Sequence, residues 1–133
     1  MLPTGLSITH RSRFTMANDA GAAVQSWTVI GRVLPLMLGR SDEVAQATVR
    51  RVQTCMIEIV EFARTRTMDD IMLCEVWLDA HHIFVAVDHT QPACTVDPSS
   101  RRCSLTLVQT VADDHGTHPT QDAYQTWASI PRG

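Results

Sequence analysis

The sequence predicts an α+β fold, a two-layer sandwich in which three main helices pack on one face of a mainly antiparallel sheet of about five strands. Apolar residues recur at helical spacing in two long stretches and one short one. Runs rich in β-branched residues lie before and after these stretches. The predicted order is therefore strand, helix, helix, hairpin, loop, helix, hairpin.

The first third of the chain supplies a strand and a helix. Residues 11–16 are predicted to form an edge strand. Asn18 or Asp19 is expected to cap the helix that follows, because the first N–H groups of a helix need a side-chain acceptor. Pro35 is expected to kink this helix or end its regular part, and Gly39 to close it.

A second helix and a hairpin are predicted in the middle of the chain. A long apolar stripe indicates a helix from about Asp42 to Arg64, with Ser41 as its cap. Two β-rich runs, 71–78 and 83–87, are joined by a short polar segment. Runs of this kind at this separation predict a hairpin.

The last third begins with a long loop. His89 to Arg101 is rich in proline, serine and threonine, and loops of this length are usually functional or mobile. A short helix is predicted from Cys103 to Ala112. Gly116 is expected to precede a final strand pair at residues 118–120 and 123–130.

Composition indicates one ordinary globular domain. The 133 residues fit a single core, with residues 1–10 expected as a flexible leader and 11–133 as the domain. The net charge of −3 gives no electrostatic reason to expect a nucleic-acid partner. No apolar stretch approaches the roughly 18 residues of a membrane span, and no signal-like segment opens the chain. We therefore expect a cytoplasmic location without membrane contact.

Three stretches carry a resemblance to a known family. They are residues 56–63 (MIEIVEFA), 85–92 (VAVDHTQP) and 105–116. Together with the element order, they resemble the anti-sigma-factor, serine-protein-kinase branch of the histidine-kinase-like (Bergerat-type, GHKL) ATPases, whose close relatives are small single-domain regulators of actinobacteria. The resemblance covers residues 11–131 and implies a Bergerat-type ATP-binding fold.

Two residues keep nucleotide-binding positions of that family. The resemblance gives Glu58 the role of general base near the γ-phosphate, and gives Asp88 the role of accepting the adenine amino proton. From the residues alone, Glu58 can equally be a solvated charge on a helix flank. Asp88 can equally begin a turn, as Asp often does.

Other positions of the implied pocket depart from the family. Phe62 stands where the family has the Asn that holds Mg²⁺, and a phenyl ring offers no lone pair to a hard cation. Arg102, Cys103 and Ser104 stand where the family has Gly-x-Gly, so side chains take the space in which backbone N–H groups cradle phosphate. The sequence therefore predicts a degenerate nucleotide pocket.

The expected function is regulation by protein–protein binding, with an impaired nucleotide site. The resemblance implies a sigma factor or a STAS-type antagonist as the partner, allows a homodimer, and implies ATP and Mg²⁺ as cofactors if the site works. The partner surface is expected on the first helix, the long loop and exposed parts of the second helix. The alternative is an active ATP-dependent Ser/Thr protein kinase in which Glu58 is catalytic and the antagonist is phosphorylated.

A second alternative is a metal or redox sensor built on His89, Cys94 and Cys103. Their spacing matches no standard zinc pattern, so no metal site is predicted. Cys55 and Cys74 fall on core-facing runs and are expected to be inert packing residues.

Overall fold

The computed structural model describes residues 10–91 and 105–132. Within these ranges the chain is α+β, as predicted, with three helices and a five-stranded sheet. In chain order the elements are β1 (His10–Ala17), α1 (Ala22–Leu38), α2 (Glu43–Arg64), β2 (Ile71–Leu78), β3 (His82–His89), α3 (Thr106–Val111), β4 (Asp114–Pro119) and β5 (Tyr124–Pro131).

The strands form one antiparallel sheet in the order β1-β2-β3-β5-β4. The predicted hairpin of β2 and β3 is confirmed, and β3 lies at the centre of the sheet. On its other side β3 pairs with β5, where His89 lies opposite Tyr124 and Asp88 opposite Gln125. The pairing of β3 with β2 ends at Val87, so the last two residues of β3 pair with β5 alone.

The two faces of the sheet carry separate cores. The helices pack on the face that displays Ile83, Val85 and Val87 of β3, and these residues belong to the main hydrophobic cluster. The other face carries a smaller buried cluster of Trp77, Phe84, Ala86 and Trp127. Because strand side chains alternate between faces, odd-numbered residues of β3 face the helices and even-numbered ones face away.

The start of α1 differs from the prediction, and its end agrees with it. Gly21 is the N-cap and has no side chain to cap the helix, so neither Asn18 nor Asp19 is the cap residue. Asp19 instead accepts a hydrogen bond from the Gly21 N–H. Pro35 lies inside α1, which continues past it, and Gly39 closes the helix with a left-handed φ of 68°.

The bounds of α2 agree with the prediction, but its cap does not. Asp42, not Ser41, is the N-cap, and its carboxylate accepts the Ala45 N–H at 2.9 Å. A carboxylate is favoured there because the helix dipole is positive at this end. The hydrogen bond from Arg40 and that from Ala45 lower the pKa of Asp42.

The last strand pair begins earlier than predicted. Gly116 lies inside β4 opposite Trp127, rather than before the strand. Pairing with β5 sets this strand, although its residues have weak β propensity. His10 belongs to β1, whereas the rest of the predicted leader lies outside the described residues. Residues 92–104, which include most of the predicted loop, lie outside them too.

None of the helices within residues 10–91 and 105–132 has the length and apolar character needed to cross a membrane.

Candidate functional site

The predicted nucleotide residues lie on α2, at the end of β3 and before α3. The structure describes Glu58, Phe62 and Asp88, whereas Arg102, Cys103 and Ser104 lie outside the described residues. Glu58 and Phe62 are one helical turn apart on α2 and share a side of that helix.

Glu58 caps the first turn of α3. Its Oε2 accepts the Leu107 N–H at 3.1 Å and its Oε1 accepts the Val108 N–H at 2.9 Å. The first N–H groups of a helix have no partner within the helix, and the N-cap residue Leu105 makes no side-chain cap. Glu58 therefore supplies from α2 the acceptors that α3 lacks.

This contact changes what Glu58 can do chemically. A carboxylate is stabilised at a helix N-terminus by the dipole and by the N–H groups it accepts. The same N–H groups are the ones a phosphate would need if it were to bind at the start of α3. A bound anion would thus have to displace Glu58, and a general base would have to leave its hydrogen bonds.

The Phe62 side chain is buried between a cation and an imidazole. The guanidinium carbon of Arg66 lies 3.9 Å from the ring centroid, and the ring of His89 meets it edge-on at 5.7 Å between centroids. Only 7% of Phe62 is exposed. A metal ion here would meet an aromatic ring and a positive charge instead of oxygen ligands.

Arg66 joins the end of α2 to the segment after β3. Its Nη1 donates to the Phe62 carbonyl oxygen at 2.9 Å and to Thr65 Oγ1 at 2.8 Å. Its own carbonyl oxygen accepts the N–H groups of Thr90 and Gln91. The residue is buried, and burial lowers its pKa. Arg66 was not identified from the sequence, because no local pattern indicates that its guanidinium lies over the ring of Phe62.

Asp88 does not join Glu58 and Phe62. As an even-numbered residue of β3 it faces away from the helices, where its Oδ1 accepts a hydrogen bond from Gln125 Nε2 at 3.0 Å. Burial raises the pKa of Asp88. His89 is the residue at this end of β3 that faces α2, so Asp88 lies apart from Glu58 and Phe62.

His89 is fully hydrogen-bonded. Its Nδ1 lies 2.6 Å from the Gln91 carbonyl oxygen, which can only accept, so Nδ1 carries the proton. In the neutral ring Nε2 then accepts from Thr126 Oγ1 at 2.7 Å, and Thr126 Oγ1 accepts from Thr117 Oγ1 at the same distance. Burial, with Arg66 nearby, lowers the pKa of His89. A metal ion would have to break this series of hydrogen bonds to bind a ring nitrogen of His89.

The cysteines that the structure describes are packing residues. Cys55 and Cys74 are free and buried, and burial raises the pKa of each thiol to about 12, as expected of inert thiols. Cys94 and Cys103 lie outside the described residues. Among the residues that are described, no three His, Cys, Asp or Glu side chains are grouped to hold a metal ion.

No protein-family model matches this chain, and no curated protein matches it either.

Proposed function

We propose that this chain is a regulatory protein with the ATP-binding fold of anti-sigma factors, and that it acts by binding another protein in transcriptional regulation. Its nucleotide site is impaired. The partner is a sigma factor or a STAS-type antagonist, and the location is cytoplasmic. The resemblance of residues 56–63 and 85–92 supports this proposal. The order of the helices and strands supports it as well.

The observation that carries the impaired site is the cap that Glu58 makes on α3. Two hydrogen bonds from backbone N–H groups reach one carboxylate. Hydrogen bonds to a charged group contribute about 1.5–3 kcal/mol each. A nucleotide phosphate would have to replace these bonds before it gained any of its own.

The surroundings of Phe62 also support an impaired nucleotide site. Mg²⁺ requires oxygen ligands in a near-octahedral arrangement. Phe62 offers none, and the guanidinium of Arg66 over its ring repels a divalent cation. Phosphoryl transfer depends on metal neutralisation of the phosphate charge, so efficient kinase activity is not expected.

Titration of the purified chain with ATP, with and without Mg²⁺, tests this proposal. We expect no saturable binding in the micromolar range and no phosphate transfer to a STAS-type protein. Micromolar binding that requires Mg²⁺, with transfer lost in Glu58→Ala and kept in Glu61→Ala, would establish the active kinase instead. Glu61 is the matched control because it is an exposed acid on the same helix.

A repair variant tests the placement of the pocket. Phe62→Asn combined with Arg102→Gly and Ser104→Gly restores the family's metal ligand and its Gly-x-Gly glycines. We expect this variant to bind ATP more tightly than the original chain, once circular dichroism has shown that it is folded. A folded variant with no gain in affinity would contradict the assignment of the pocket to Phe62.

A tagged chain used as bait in its native host tests the partner class. Mass spectrometry of the captured proteins should identify a sigma factor or a STAS-type protein. Repeated capture of neither class, from cells in which such proteins are expressed, would contradict the proposed partner.

A further inference from the structure

A groove of about 740 Å³ lies between α1 and α2, and its lining comes from these two helices and the turn between them. Part of the lining is apolar and small: Gly31, Pro35, Ala45 and Val49. Trp27 lines the groove as well and is 49% exposed. We call this feature the α1–α2 groove. It shares no lining residue with the cap at Glu58 or the ring of Phe62.

The apolar side of this groove continues along α1. Val24, Trp27, Gly31 and Pro35 recur at helical spacing and form one stripe, beside the stripe that α1 buries in the core. Val24 is 67% exposed. An exposed tryptophan at the centre of such a stripe is typical of a binding surface, because aromatic side chains dominate interface energetics.

The charges of the groove have one sign. Arg32, Arg40 and Arg50 line it, and no acidic side chain does, although the whole chain has a net charge of −3. Arg40 forms an ion pair with Asp42, which does not line the groove. Within residues 10–91 and 105–132, the guanidinium groups of Arg32 and Arg50 form no ion pair or hydrogen bond. Two arginines thus stand beside an apolar surface with their charges uncompensated.

We infer that the α1–α2 groove binds an acidic amphipathic helix of a partner protein. The inference rests on the proposed function, since it names the surface through which the regulator would hold its partner. Ala45 to Thr54 extends for about 14 Å along α2, which matches two to three turns of a docked helix. The small side chain of Ala45 lets a helix approach closely, and apolar anchors can pack on Trp27 while flanking acids meet the arginines.

Selection from a displayed library of helical peptides on the immobilised full chain tests this inference. We expect enriched peptides with apolar residues at i and i+4 and several Asp or Glu residues on the flanks. Each should bind the Trp27→Ala variant at least about tenfold more weakly. Enrichment of basic or non-helical peptides, binding unaffected by Trp27→Ala, or no enrichment at all would overturn the inference.

Two matched controls sharpen the result. Leu36→Ala removes another exposed apolar side chain of α1 that does not line the groove, and should change affinity less than about twofold. Arg32→Gln with Arg50→Gln should weaken binding and reduce its dependence on salt. Gln109→Glu with Gln121→Glu makes the same change in net charge on exposed residues outside the groove. This control should neither weaken binding nor reduce its dependence on salt. Equal effects from both charge pairs would contradict a specific site.

Sedimentation of the chain alone excludes a rival occupant. A dimer that Trp27→Ala converts to a monomer would show that a second copy fills the groove, and would overturn the partner helix. These outcomes are independent of the ATP titration. A failed peptide selection would not contradict the impaired nucleotide site. Micromolar ATP binding would not contradict peptide binding in the α1–α2 groove.

Discussion

The two clefts beside α2 differ in how their polar groups are satisfied. Between α2 and α3, Glu58 accepts the helix N–H groups, and Arg66 and His89 enclose the ring of Phe62. Between α1 and α2, the side chains of Arg32 and Arg50 have no partner within the described part of the chain, and Trp27 is half exposed.

The difference between the two clefts indicates which of them can bind a ligand. A cleft whose donors and charges are already paired gains little from a ligand, because the ligand must first break those pairs. A groove with an exposed aromatic side chain and uncompensated charges gains from any complementary surface. The side of α2 that faces α1 is therefore the one that we propose for a protein partner, whereas contacts within the fold close the side that faces α3.

The largest expected effect compares one aromatic residue from each cleft. Phe62→Ala should lower the free energy of unfolding by about 3 kcal/mol, because it leaves a cavity beneath Arg66. Trp27→Ala should lower it by less than about 1 kcal/mol, because Trp27 is half exposed. Urea denaturation of both variants measures the difference. Equal losses would contradict the view that one cleft is filled and the other open.

The next effect concerns the cap on α3. Glu58→Ala should lower the free energy of unfolding by about 2 kcal/mol, because the N–H groups of Leu107 and Val108 lose their acceptor. Glu61→Ala, which removes an exposed acid, should cost less than about 0.5 kcal/mol. A Glu58→Ala variant as stable as the original chain would show that the carboxylate is free for catalysis.

A smaller effect should appear with pH. Burial lowers the pKa of His89 below its usual 6.5, so the unfolded chain binds a proton there more readily than the folded one. The contribution of His89 to the free energy of unfolding is fully present above pH 6.5. It declines as pH falls through the pKa of His89 in the folded chain, by at most about 1.4 kcal/mol per pH unit. His89→Gln should flatten the decline measured by denaturation between pH 5 and about 6.5. An unchanged slope would contradict the buried neutral ring.

The smallest effect tests the other side of β3. Burial raises the pKa of Asp88 above 3.8, so its contribution to stability is lost as pH rises through the folded pKa. Asp88→Asn still offers an oxygen to Gln125 and should leave stability at pH 7 unchanged or raised by up to about 0.5 kcal/mol. Thermal denaturation measures this. A clear loss would show that the ionised carboxylate matters to the fold.

Much of the fold was predictable from local pattern. The apolar stripe predicted the extent of α2, although not its cap residue. The left-handed residue at the end of α1 was predictable because glycine adopts positive φ without cost. Glu58 and Phe62 are four residues apart, a spacing that places both on one side of a helix. These features depend on residues close together in the chain.

The rest of the site depends on contacts that local pattern does not carry. Glu58 reaches Leu107 and Val108 across 49 and 50 positions of sequence. On β3 almost every position is buried, so apolar residues occupy both faces and no alternation shows whether Asp88 or His89 faces α2. Only the pairing of β3 with its neighbouring strands determines which of its residues face the helices.

The amide resonances of Leu107 and Val108 test the central claim most directly. In a ¹⁵N correlation spectrum titrated with ATP and Mg²⁺, the Glu58 cap predicts that both resonances stay in place up to millimolar nucleotide. Saturable shifts of these two amides, dependent on Mg²⁺, would show that phosphate displaces the carboxylate and would contradict the account.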